Sequence, residues 1–263
     1  MLTNLVIVFI MTSIIHTAET LSYAVRFAGV RLNKIAVALS LTGIIVLVSR
    51  TANMVQGPIA AKFVDYARAH ASFDMLHYLR VTLLASSVGT LAAIMLFPTC
   101  VNLFGRLIAK LEVAGSIPKL VSSVTIGQLK NTKHYIRLPR FRISRFRYLG
   151  ISKTFILINV IVTSFYTVGV LAALYAAHLF PALSTTASQA SGIINGVATI
   201  LLTIFIDPQL GLITDKALNN TEYRTQLGKI YVLLMTTRFL GTMLAQLVLV
   251  PAALLIGYFV KMI

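Results

Sequence analysis

The chain of 263 residues is 57% hydrophobic and only 11% charged, with a mean hydropathy of +0.87, which excludes a water-soluble globular domain and specifies a polytopic membrane protein. Its 23 Lys and Arg against 7 Asp and Glu give a net charge of +16. The one cysteine, Cys100, excludes a disulfide framework or a cysteine metal knuckle.

A hydrocarbon slab about 30 Å thick is crossed by about 20 apolar residues in a helix. Six such stretches are predicted, at 2–24, 35–56, 81–104, 154–178, 190–211 and 230–258. Residues 1–15 have no basic residue ahead of their apolar core, and no small-residue cleavage pattern follows, so the first stretch reads as a retained helix rather than a signal peptide. The fold class is therefore all-α, a single transmembrane domain. It divides into a first three-helix half (1–105), a basic loop (106–153) and a second three-helix half (154–263).

Charge sets the expected orientation. Eleven of the 23 Lys and Arg lie in 106–153, against a single acid, Glu112, which makes that loop cytoplasmic by the positive-inside rule. The basic loop 26–34 is then cytoplasmic as well, the uncharged segment 181–189 is external, and both termini face outward. The external loop 57–80 is of mixed charge (Lys62, Asp65, Arg68, Asp74) and argues weakly the other way. Within 106–153, RLIAKLEVAG (106–115) reads as an amphipathic interfacial helix. RLPRFRISRFRY (137–148) alternates basic with apolar or aromatic residues. It is expected to lie on anionic lipid, where each cation contributes about 1 kcal/mol. Basic and aromatic residues together also suit RNA, but a loop pinned between two spans favours the membrane, and no nucleic acid is expected. A pure orientation signal accounts for the same residues.

The expensive residues lie inside the spans, where a charge costs roughly 2.5 to 3.5 kcal/mol at a helix centre. His16, Glu19, Tyr23 and Arg26 are three or four apart and share one face of the first span. Glu19 is expected to pair with Arg50 or Arg238, or to carry a proton; a structural clamp between helices explains the same face. Arg50 lies about 15 residues into the second span, a rise of about 22 Å, with Asn53 on its face and Gln56 near the helix end. Arg238 lies early in the sixth span, with Gln246 two turns on. Together with Arg26 and Arg31 these make a series of cations from one interface to the other. A guanidinium is permanently charged and matches phosphate oxygens bidentately, so the series suits a phosphate group crossing the bilayer. Snorkelling explains any one of them alone.

Several chemistries lack their residues. His16-x-x-Glu19 has no partner motif for zinc, so neither metal nor cofactor is expected. There is no G-x-x-x-x-G-K-[ST] phosphate loop, no G-x-S-x-G elbow and no acid cluster for Mg²⁺, which leaves ATP hydrolysis and embedded phosphatase or transferase chemistry poorly supplied.

The halves echo each other at an offset of about 150 residues. Thr12-Ser13 matches Thr163-Ser164, and Gly43-Ile44-Ile45 matches Gly192-Ile193-Ile194. Pro58 and Asp65 match Pro208 and Asp215. Gly89-Thr90, Ala93 and Pro98 match Gly241-Thr242, Ala245 and Pro251 with one residue of slippage. With three spans per half, the second half enters the membrane in the opposite sense, an inverted repeat of the kind found in secondary transporters. Chance similarity between two apolar segments is the alternative.

Three blocks carry a resemblance: HTAETLSYAVRFAGVRLNKIAVALSLTGIIVLVSRTANMVQGP (16–58), FIDPQLGLITDK (205–216) and RFLGTMLAQLVLVP (238–251). Together they resemble the Amj family of bacterial lipid II flippases, the alternates to MurJ, over nearly the whole chain. The resemblance implies a non-enzymatic transporter in the bacterial plasma membrane. Its cargo would be lipid II, the undecaprenyl-diphosphate-linked disaccharide-pentapeptide, moved from the inner to the outer leaflet for peptidoglycan synthesis. It carries no residue assignments. On the physical reading, Arg26, Arg31, Arg50, Asn53, Arg238, Tyr23 and Gln56 bind substrate, and His16 and Glu19 serve coupling or gating. Six helices leave little room for so large a headgroup, which favours a wide cleft or a homodimer. The rival readings are an ion- or proton-coupled exporter of a small amphiphile, a membrane enzyme acting on a polyprenyl phosphate, and a non-catalytic assembly protein of the cell-wall machinery.

Overall fold

The structure, a computed structural model, describes residues 1–116, 119 and 151–263; the basic-aromatic stretch 137–148 lies outside the described residues. The described residues are helical throughout their ordered elements. Three long helices come first: α1 (Leu2–Arg31), α2 (Ile35–Ala69) and α3 (Met75–Ala114). The second half begins with α4 (Lys153–Leu179). Its fifth span is broken into a 3₁₀ turn (Pro181–Leu183), α5 (Ser184–Gln189), α6 (Ser191–Leu201), a π-helical turn (Leu202–Ile206) and α7 (Asp207–Asn219), and α8 (Thr221–Met262) closes the chain. Among the described residues, six segments are long and apolar enough to cross a membrane.

The helices run well past the apolar stretches that reveal them. At 35 residues, α2 rises about 52 Å, more than the roughly 30 Å hydrocarbon core. The expected loops contract accordingly. The loop at 26–34 becomes a turn at 32–34, closed by Asn33 in the left-handed region (φ 56°), and the loop at 57–80 becomes 70–74. Pro58 lies inside α2, which continues through it. Proline removes one backbone donor, and neighbouring helices in a membrane bundle make that loss tolerable. The piece at 106–115 is the last part of α3 rather than a separate interfacial helix. Ile108 and Leu111 are buried, and Glu112 pairs with Lys34 across the α1–α2 turn.

The fifth span departs most from expectation. Pro208 has no N–H to donate to the preceding turn, and its ring crowds the carbonyl four residues back. The helix widens to a π turn just before it. Elsewhere the ends follow their capping residues: Asp74 accepts from His77 N (3.0 Å), Ser152 from Phe155 N (3.1 Å) and Asn220 from Glu222 N (2.8 Å). Gly115 closes α3 in the left-handed conformation.

The first helix of each half is its packing centre: α1 packs on α2 and α3, α4 on α6 and α8. The halves meet along α3–α8, α2–α4, α1–α8 and α3–α4, whereas α2 and the fifth span make no extended contact. Two glycines set close approaches to the backbone of a neighbouring helix. A Cβ at Gly89 would strike the backbone of Ser13, and one at Gly241 would come 2.7 Å from Val160 O and 2.6 Å from Thr163 Cβ. Small residues of this kind let membrane helices pack backbone to backbone. Apolar side chains form two clusters. One, around Phe63, Met75 and Ile256, lies at the end of the chain termini; the other, around Leu41, Phe155 and Tyr231, lies at the end of the 32–34 turn.

Gly89→Ala is expected to lower the thermal midpoint of the detergent-purified protein, by about 1–3 kcal/mol of overpacking. Gly43→Ala, which has open space at its Cβ, is expected to leave it unchanged or raise it slightly. Equal effects from the two would contradict the close α1–α3 approach.

Candidate functional site: a polar layer between two apolar cores

Between the apolar clusters four helices interrupt their hydrophobic runs at the same level. On α1 the break is His16 and Glu19, between Val8 and Tyr23; on α2 it is Ser49 and Arg50, between Leu41 and Ala60. On α4 it includes Tyr166, between Phe155 and Val168, and on α8 it is Arg238, between Met235 and Ala245. These residues converge on the Glu19 carboxylate. Oε1 accepts from Ser49 Oγ (2.9 Å) and from the Tyr166 hydroxyl (3.1 Å), while Oε2 pairs with Arg238 Nη2. The side chains of Glu19 and Arg238 are only 16% and 14% exposed.

This knot divides two cavities. The smaller, about 160 Å³, lies toward the termini, and His16, Asn53, Gln56, Thr167 and Asn195 are among its lining residues. The larger, about 300 Å³, lies toward the 32–34 turn and includes Ser22, Arg26, Thr203, Asp207 and Arg238. Glu19, Arg50, Tyr166 and Thr199 line both, so they form the floor of one and the roof of the other. Arg50, Thr199 and Asp207 are exposed, on the side where α2 and the fifth span leave a gap. In the larger cavity three guanidiniums (Arg26, Arg50, Arg238) face two carboxylates (Glu19, Asp207). An additional anion is therefore electrostatically favoured there.

Seven of the nine residues singled out from sequence line these cavities: His16, Glu19, Arg26, Arg50, Asn53, Gln56 and Arg238. Of the two partners expected for Glu19, Arg238 forms the ion pair. Tyr23 instead packs in the core, its ring centroid 5.4 Å from that of Tyr231. Arg31 is exposed at the end of α1, with its guanidinium 6.0 Å from the Phe27 ring centroid. Gln246 donates to Arg80 O (2.9 Å), away from the cleft.

Sequence reasoning missed Ser49, Tyr166, Asn195, Thr199, Thr203 and Asp207. Two signals were present. The repeat offset carries His16 onto Thr167, a neighbour of Tyr166 and itself a lining residue. Asp207 is an acid inside an apolar run, directly before a proline.

Six spans around a buried ion pair, with a polar cavity on either side of it, define a polytopic helical membrane protein. The Amj family, described as alternate to MurJ, matches residues 11–260. Lipid II flippase Amj of Bacillus subtilis (strain 168) is 39% identical over 262 residues, covering 98% of this chain and 97% of that protein. No solved structure matches the chain. The chain belongs to the Amj family, and it is a transporter-type protein rather than an enzyme.

Removing one partner of a buried pair strands the other charge. Glu19→Gln is expected to destabilise the purified protein by about 3 kcal/mol or more, and Glu19→Gln with Arg238→Met to recover most of the loss. Thermal unfolding of the two variants checks this; a double variant no more stable than the single one contradicts it.

Proposed function

We propose that this protein is a lipid II flippase that carries the undecaprenyl-linked headgroup through the cleft between its two halves, with the diphosphate held by Arg26, Arg50 and Arg238. The observation that carries the reading is the excess of guanidinium over carboxylate in the larger cavity, at membrane depth, in a chain 39% identical to a protein of that name. Guanidinium pairs with phosphate oxygens bidentately, and a diphosphate entering between Arg26 and Arg50 competes with Glu19 for Arg238. That exchange loosens the knot that separates the cavities.

The gap between α2 and the fifth span is the lateral opening through which the polyprenyl tail stays in lipid while the headgroup enters. Ser87 and Thr242, 3.0 Å apart on α3 and α8, lie on the opposite seam, about which the halves rock. The inverted repeat gives this motion its form. Each half seats its third helix against its first at an aligned glycine, Gly89 or Gly241, and α1–α8 contact has its counterpart in α3–α4 contact. The two cavities are far smaller than a disaccharide-pentapeptide, so passage requires the halves to part, or a second copy to complete the path. In the orientation read from charge, with 106–153 cytoplasmic and both termini external, the arginine-rich cavity opens toward the cytoplasmic leaflet, where the substrate is made.

A second reading concerns the driving force. His16 lies one turn from Glu19, and its buried Nδ1 has no partner, an arrangement suited to passing a proton. A flipping rate that depends on a pH gradient in the native protein and loses that dependence in Glu19→Gln supports it.

Protein in liposomes bearing labelled lipid II is expected to accelerate its exposure on the opposite leaflet. Arg50→Ala and Arg238→Ala are expected to reduce the rate by about tenfold or more, the loss of a charge-assisted hydrogen bond. No acceleration by the native protein, with or without an ion gradient, sinks the proposal. For orientation, Val113→Cys in a Cys100→Ser background is expected to react with an impermeant maleimide only from the cytoplasmic side, Val113 being 90% exposed. Labelling from outside in intact cells reverses the assigned topology.

A further inference from the structure

The smaller cavity differs in chemistry from the larger. Its walls carry three carboxamides, Asn53, Gln56 and Asn195, and the imidazole of His16. His16 and Gln56 are buried, at 5% and 6% exposure. Among the described residues, no hydrogen bond from another protein group reaches any of these four side chains. Asn195 Oδ1 and His16 Nδ1 are cut off from solvent with no partner at all. A buried polar atom left unpaired costs about 1–3 kcal/mol; two such atoms, on His16 and Asn195, stand beside the unbonded carboxamides of Asn53 and Gln56 around one void, a lining suited to a group that bonds to it.

Gly169 makes room for the Asn195 side chain, whose Oδ1 packs against it. The Asn195 carboxamide lies over the bare α-carbon of Gly169, where any Cβ would collide with it. The charges at the floor do not make this an anion site. Glu19 is already paired with Arg238, and Arg50 is shared with the larger cavity. Carboxamides both donate and accept hydrogen bonds. They match an uncharged group that does the same: a secondary amide, or the hydroxyls of a sugar. The volume of about 160 Å³ is close to that of an engineered cavity of about 150 Å³ that holds benzene. It is enough for one acetamido group or one edge of a sugar ring.

We propose that this cavity is a subsite for an uncharged amide- or hydroxyl-bearing part of the headgroup, contacted by His16, Asn53, Gln56 and Asn195 and distinct from the arginine-lined site for the diphosphate. The inference rests on the flippase reading and adds selectivity to it. The protein tells a sugar-bearing polyprenyl diphosphate from the bare polyprenyl diphosphate by a contact that does not involve phosphate.

Two probes separate the subsites: lipid II, and undecaprenyl diphosphate, which has the same tail and diphosphate but no sugar or peptide. Binding of each to the purified full chain in nanodiscs is measured for the native protein and for Asn195→Ala, Asn53→Ala and Gly169→Ala. The native protein is expected to prefer lipid II by about tenfold, the worth of one or two hydrogen bonds. Each variant is expected to lose most of that preference by weaker lipid II binding, with undecaprenyl diphosphate affinity unchanged. Three variants on three helices guard against the misfolding of any one. Equal native affinity for the two probes overturns the subsite, as do variants that weaken both probes in proportion or neither. Native protein that binds neither probe refutes the flippase reading itself, and the subsite with it.

Discussion

One carboxylate ties the molecule together at membrane depth. Glu19 takes a guanidinium from α8 and hydroxyls from α2 and α4, so four of the spans are registered against each other by a single acid. In hydrocarbon no water is available to replace a lost partner, and the low dielectric strengthens each contact while it makes any vacancy costly. The apolar clusters on either side pack the helices without fixing their relative heights. Dispersion contacts between aliphatic side chains tolerate sliding far better than a four-way polar knot does.

On the flippase reading we propose, the same constraint makes the knot a switch. Its ion pair holds only while Glu19 is charged and Arg238 has no better anion, and both conditions depend on what occupies the cavities. On that reading a structural clamp and a gate are one object under two conditions. Hydrogen bonds elsewhere on these helices do not share this property. Thr12, Thr42 and Thr90 donate to the carbonyls of Val8, Ala38 and Ser86 on their own helices, which costs nothing to neighbouring spans and transmits nothing between them.

That contrast also explains what the sequence could and could not disclose. The six spans were legible from hydropathy, since lipid demands a continuous apolar run. Their ends were not, because past the headgroups a helix continues on ordinary propensity with polar residues. The charged members of the site, Glu19, Arg26, Arg50 and Arg238, were legible because each is expensive where it lies. Ser49 and Tyr166 were not: a hydroxyl in a membrane helix usually serves its own backbone, and nothing local distinguishes one that reaches across. The choice between Arg50 and Arg238 as the partner of Glu19 required tertiary structure, since the true partner is 219 residues away in the chain. Tyr23 had the correct spacing for the polar face, yet helix rotation carries it against Tyr231.

α1 separates two unlike environments. One face supplies His16 and Glu19 to the polar layer. Another, with Phe9, Ile10, Ile14 and Leu21, lines an apolar groove of about 470 Å³, kept apolar because Ser13 and Thr17 bond to the α3 carbonyls of Ala85 and Gly89.

The π turn in the fifth span accounts for an irregularity in the numbering of the repeat. Pro58 follows Gly43 by 15 residues, while Pro208 follows Gly192 by 16. A π turn is the form a helix takes when it absorbs one surplus residue without unwinding, and Leu202–Ile206 lies within that interval. In the alignment of halves read from the sequence, the second half carries one residue more over this interval, at the wall of the larger cavity beside Thr199, Thr203 and Asp207. Two matched halves would present the same barrier to travel in either direction. On the rocking mechanism proposed above, an extra residue in only one of them makes the inward-open and outward-open forms unequal in energy, and so gives the rocker a resting side.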